Sequence, residues 1–147
     1  MKDWTVREAG SGDWPAVASL LATAHLPLAG VEESLTGFLV SVRGETVIGC
    51  AAVERYGRAG LLRSVAVAEA ERGTGLGQDL VHRSLERAAS AGMETVTLLT
   101  TTAREFFPRF GFRVIPREAV PIAVQESIEF TEACPATATA MLLTMGA

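Results

Sequence analysis

One lysine and one tyrosine stand among 147 residues, and cysteine occurs only twice. Thirteen basic groups face 17 acidic ones, for a net charge of −4. This balance lacks the clustered cations that a phosphodiester backbone requires, so no nucleic-acid partner is expected. Any phosphate must be met locally. Cys50 and Cys134 are far apart and form no Cys-x-x-Cys pair, so neither a disulfide framework nor a metal site is expected. Reduced thiols in a cytoplasm fit this usage. A long apolar run is also missing. Trp14 to Val31 is uncharged when His25 is neutral, but Pro15, His25 and Pro27 interrupt it, so it reads as helix then loop and no membrane partner is expected. Charges within Met1 to Glu8 occupy the place where an export signal needs an unbroken apolar core.

With 48% hydrophobic residues, a chain of this length can bury about two-thirds of its unfolded surface and needs no staples. No repeat or linker-like tract appears, so residues 1–147 read as a single domain. Trp4 to Arg7 reads as a strand. Gly10, Ser11, Gly12 and Asp13 supply turn chemistry and an N-cap, and a helix follows to about Ala24 with Pro15 in its first turn. Leu26 to Gly37 holds two breakers and a short helix. Phe38–Val42 and Thr46–Glu54 flank Arg43-Gly44-Glu45 as a hairpin, and Leu61–Ala68 adds a third antiparallel strand. A glycine-rich turn, a helix ending before Gly92 and a strand over Thr95–Thr100 complete a crossover unit, which pairs its two strands in parallel. The fold class is therefore α/β with a mixed sheet.

Gly73, Gly75 and Gly77 leave backbone N–H groups uncrowded at the positive end of a helix, where phosphate binds well. A dinucleotide fingerprint would need glycine at 78 or 80, where Gln78 and Leu80 stand, and a Walker A lysine is absent. The run Arg72-Gly73-Thr74-Gly75-Leu76-Gly77 instead resembles the pyrophosphate loop of the GNAT acetyltransferases, which cradle coenzyme A. Beyond the helix, Ala103 to Phe112 looks like a second landmark of that family, Ala-x-x-Phe-Tyr-x-x-x-Gly-Phe. Leu62 to Val67, Leu99-Thr100-Thr101 and Gly111-Phe112 look like the acetyltransferase domain of N-acetylglutamate synthases. The run from Leu61 to Met141, including Cys134-Pro135, is similar to N-acetyltransferases associated with arsenic resistance.

The resemblance implies a GNAT fold, with a splayed strand pair around the β-α-β unit that binds acetyl-CoA as cosubstrate. Its implied cofactor contacts are the Arg72–Gly77 turn, the backbone of Val65, Ala66 and Val67 at a strand bulge, Thr100, and Phe106 and Phe107. For both phenylalanines packing against the cofactor and the core is the preferred assignment. Glu54, Arg63 and Ser64 form the expected catalytic group. Glu54, which closes an apolar strand, either emerges into solvent or takes a proton from a substrate ammonium through water. Arg63, inside an apolar strand, either pairs with an acid such as Glu54 or grips a substrate carboxylate. N-acetylglutamate synthases carry a further arginine and serine near the C-terminus, in the region where this chain has Glu132, Ala133, Cys134 and Pro135.

Phe107 stands where many family members have a tyrosine that protonates the departing thiolate. A thiol pKa of about 8.5 lets the thiolate leave unassisted. Tyr56 is assigned to a surface loop after the Thr46–Glu54 strand, Cys50 to the core, Thr101 to a substrate contact or strand filler, and His25 and His82 to no catalytic role. The expected activity is acetyl transfer to the primary amine of a small amino-acid-like molecule, including an arsenic-containing or phosphinic amino acid in a resistance role. The alternatives are a protein amine as acceptor, or a non-catalytic acyl-CoA sensor. A homodimer is compatible with the resemblance.

Overall fold

Seven strands, three α-helices and several 3-10 turns occur in the computed structural model, which describes residues 3–28, 30–127 and 138–145. The strands are β1 (Thr5–Glu8), β2 (Phe38–Arg43), β3 (Thr46–Tyr56), β4 (Ala59–Val67), β5 (Thr95–Thr100), β6 (Arg113–Ile115) and β7 (Thr139–Thr144). The helices are α1 (Trp14–Thr23), α2 (Leu76–Ser90) and α3 (Ile122–Gln125). The mixed sheet runs β1-β2-β3-β4-β5-β7-β6, so the α/β expectation holds. Cys134, Pro135 and their neighbours Glu132 and Ala133 lie outside the described residues.

The chain divides into two compact units, Met1–Ala52 with Ser64–Leu85, and Val53–Arg63 with Glu86–Ala147. In the first, β2 pairs antiparallel with β1 and β3, with a register shift at Ser41/Val42. Gly44, at a φ of 63°, makes the turn of the expected hairpin. Phe38, Val40 and Cys50 bury against Val17 and Leu21 of α1, while Leu39, Ile48 and Ala51 form a second apolar cluster with Leu76 and Leu80 of α2. Here Gly49 is required for close approach. A Cβ on it would sit 2.6 Å from a Leu76 methyl and 2.9 Å from one of Leu80, closer than carbon atoms pack. Asp13 does not cap α1 through its side chain. Instead it accepts from the Gly10 N–H at 2.7 Å and is gripped by Arg7 through both oxygens, which holds its carboxyl down at about 2.

In the second unit, Ala59–Leu61 of β4 pair in parallel with Thr95–Thr97 of β5, as the crossover expectation requires. β7 lies antiparallel between β5 and β6. Ala59, Leu61, Ile115, Val120, Val124 and Ala140 make its apolar centre, against which Tyr56, Leu99 and Leu142 pack.

Candidate functional site

In the first unit, the turn between β4 and α2 carries Gly73 at a φ of 82° and Gly75 at 91°, the left-handed region that side chains disfavour. A Cβ at either position would meet nothing within 4 Å, so both glycines face open space. Arg72, Thr74 and Gly75 are exposed. The Thr74 hydroxyl donates to the Glu71 carbonyl at 2.6 Å, and the Gly75 carbonyl accepts the Asp79 N–H at 3.0 Å, which starts the helix. The N–H groups of a first helical turn have no carbonyl partner inside the helix, so this turn presents donors at the positive end of α2. Leu76 is fully buried, so it can offer a ligand only its backbone. The open space and left-handed glycines fit a pyrophosphate approached by main-chain N–H groups.

Ser64 precedes the expected Val65–Val67 stretch and has a φ of 60°, rare for a residue with a side chain and found here in the middle of β4. Its carbonyl accepts the Cys50 thiol at 3.3 Å. Burial pushes that thiol up to about 12, so Cys50 is an inert core group, as its place on an apolar strand suggests. The left-handed residue breaks the extended run of β4 where the resemblance implies a bulge.

In the second unit, Glu54, Tyr56 and Arg63 meet. The Tyr56 hydroxyl donates to Glu54 Oε1 at 3.0 Å, and Arg63 Nη1 faces Glu54 Oε2 at 3.4 Å. The Arg63 side chain is only 1% exposed against 20% for Glu54. Of the two expectations for Arg63, the acidic pair is the contact the structure displays, with the guanidinium buried. Glu54 is the accessible edge of the pair. The assignment of Tyr56 to a surface loop is overturned. It is the last residue of β3, half-buried, and also hydrogen-bonds Ser127. Burial and then the Glu54 charge push its hydroxyl up to about 12, so it remains a donor at neutral pH. Residues two apart on a strand share a face, which explains why Glu54 and Tyr56 meet.

Thr100 ends β5, and its Oγ1 accepts the Ala103 N–H at 2.9 Å, so part of its hydroxyl is committed to the following turn. Thr101 is exposed. Phe106 and Phe107 lie edge to face at 5.1 Å. Phe110 packs on Phe106 at 5.3 Å, Phe112 on Phe107 at 5.8 Å, and Arg109 stacks over the Phe106 ring at 4.7 Å. Phe107 is buried and Phe106 half-buried. Both pack among aromatic neighbours, and Phe106 keeps part of its surface exposed. His82 is exposed on α2, and His25 closes α1 with a φ of 59°. No group of three or more metal-ligating side chains occurs among the described residues, and no helix there is long and apolar enough to cross a membrane.

Residues 34–114 match the acetyltransferase (GNAT) domain family. The chain is 32% identical over 139 residues to an amino-acid acetyltransferase of Mycobacterium tuberculosis, covering 88% of this chain and 76% of that protein. It also matches longer amino-acid acetyltransferases from Neisseria meningitidis, of whose length it spans 29%. A Mycobacterium tuberculosis protein solved in complex with CoA and NLQ superposes with a TM-score of 0.79 at 28% identity, over 97% of this chain and 99% of that one. The N-acetylglutamate synthase of Neisseria gonorrhoeae, complexed with coenzyme A and N-acetyl-glutamate, matches with a TM-score of 0.86 at 20% identity. It covers 100% of this chain and 36% of its own, a likeness of fold.

Proposed function

We propose, from the premise that this chain belongs to the GNAT acetyltransferase family, that it transfers the acetyl group of acetyl-CoA to the primary amine of a small amino-acid-like molecule. The observation that carries this reading is Glu54, an acid with one oxygen bound by Tyr56, the other beside buried Arg63, and a fifth of its side chain exposed. Such a carboxylate attracts an ammonium and accepts its proton through water, which leaves the amine neutral and nucleophilic. The names of the relatives support an amino acid as the acceptor.

Acetyl-CoA supplies the acyl group as a thioester, activated for attack by an amine. The Arg72–Gly77 turn holds its pyrophosphate through main-chain N–H groups, with Arg72 adding charge. The backbone of Val65, Ala66 and Val67, re-aimed by the left-handed Ser64, lines the pantetheine arm and offers donors to the developing oxyanion. Arg63 acts through Glu54, as a buried counter-charge that keeps the carboxylate oriented. Phe107 has no proton to give, so the thiolate leaves unassisted. Thr100 and Phe106 complete the cofactor contacts.

The finer reading is an arsenic-containing or phosphinic amino acid as acceptor, a resistance role and a cytoplasmic location, supported by the resemblance of the run from Leu61 to Met141. A second copy of the chain is a compatible partner. The missing hydroxyl at Phe107 favours one other reading, an acyl-CoA sensor without turnover. Thiol release from acetyl-CoA across a panel of amino acids, their amides, phosphinic and arsenical analogues, and a peptide with a free amine tests all of these. Turnover of an amino acid supports the proposal. Thiol release with the peptide alone, or with no amine, overturns it.

A further inference from the structure

Two acids flank the glycine turn, Glu71 two residues before Gly73 and Asp79 two residues after Gly77. Left to themselves, both would repel a pyrophosphate at the turn. Neither is left so. Arg43, at the end of β2, donates to Glu71 at 2.5 Å and also pairs with Asp3. Asp79 accepts from Trp4 Nε1 at 3.0 Å on one oxygen and from Arg83 Nε at 3.1 Å on the other. The Glu71 carbonyl meanwhile receives the Thr74 hydroxyl, which ties this acid's own residue to the turn.

We infer that Arg43 and Arg83 are positioning residues for cofactor binding, which neutralise the two flanking acids and hold their charges off the phosphate-binding turn. The inference rests on the proposed acetyl-CoA reading of that turn. Neither arginine need touch the ligand. Arg43 acts through Glu71, and Arg83, with the Trp4 indole, acts through Asp79. A carboxylate released near a doubly charged pyrophosphate costs affinity in proportion to its unscreened charge, an effect confined to about 8 Å at physiological salt.

Calorimetric titration with acetyl-CoA at low ionic strength tests this. Arg43→Gln is expected to raise Kd about three- to tenfold, with the gap closing in about 0.5 M salt. Arg43→Lys, which keeps a cation, should stay within about twofold of wild type. The decisive variant is Arg43→Gln combined with Glu71→Gln. Removing the released charge should bring Kd back to within about twofold, a rescue that a purely structural role for Arg43 would not give. Arg83→Gln should behave as Arg43→Gln does, by a smaller factor because Trp4 still holds Asp79. An unchanged Kd in folded Arg43→Gln overturns the inference, as does a double variant as weak as the single one. The underlying reading fails separately, and visibly, if the wild-type protein does not bind acetyl-CoA.

Discussion

The turn after β4 and the cluster at the end of β3 are built from opposite materials. The turn consists of backbone and empty space, with Gly73 and Gly75 left-handed and nothing within 4 Å of a Cβ on either. The cluster consists of side chains bound to one another, with Arg63 buried, Glu54 partly exposed and Tyr56 donating between core and carboxylate. Main-chain recognition tolerates no added atom, whereas a side-chain network can be weakened by degrees. Substitutions in the two regions should therefore fail differently.

The largest effect is expected at the turn. Gly75→Val would force a branched side chain into a left-handed backbone and fill the space a phosphate needs, so acetyl-CoA affinity should fall by more than about 100-fold. Titration of the folded variant checks this, and an unchanged Kd removes the pyrophosphate assignment. Next comes Arg63→Ala, which strands Glu54 without its buried partner. Breaking such a pair costs about 3 kcal/mol, or about 6–12 °C in Tm for a chain of this size, read by thermal melting. The milder Arg63→Lys should lower turnover of an amino acid and of its amide by the same factor. A loss confined to the acid would show that Arg63 grips the substrate carboxylate directly.

The turn was legible in the sequence because glycine spacing is itself the device, and β5 was legible to its end residues because Thr95–Thr100 lies between Gly92 and a polar turn. The cluster was only half legible. Glu54 and Arg63 stood out as charges in apolar strands, but β3 runs on through Tyr56 to the Gly57 turn, and ending it at Glu54 put the one tyrosine in a loop. Strand alternation was the signal that pairs residues 54 and 56 on one face. Ser127, which also reaches Tyr56, comes from a segment whose partners are set only by tertiary packing. β6 and β7 were covered by family resemblance alone. β6 has only three residues, and the pairing of Arg113–Ile115 with Ala140–Leu142 is non-local.

Tyr56→Phe sharpens the comparison further, because it removes the hydrogen bonds to Glu54 and Ser127 and no charge. It should lower kcat/KM for the amine about tenfold and leave Kd for acetyl-CoA unchanged. It should also alter stability at high pH. The hydroxyl is held protonated up to about 12 in the fold, above the usual 10, so its contribution is complete below pH 10 and is lost as pH rises through 12. The variant should lack that alkaline decline in Tm. The smallest effect is expected for Phe107→Tyr, in the aromatic packing near Phe112. The fold should persist and the maximal rate should change less than about tenfold if thiolate departure is not limiting. A large increase with a new alkaline limb in the pH profile would show that general-acid help was missing.

The most direct test is Glu54→Gln, which is isosteric and keeps one acceptor oxygen for Tyr56, while it removes the charge that receives the proton and the oxygen that faces Arg63. Steady-state thiol release with an amino-acid acceptor should show kcat/KM lower by about 10²-fold or more, with Kd for acetyl-CoA within about twofold of wild type. Equal rates for the two proteins over the neutral range would contradict the assignment of the substrate ammonium to Glu54.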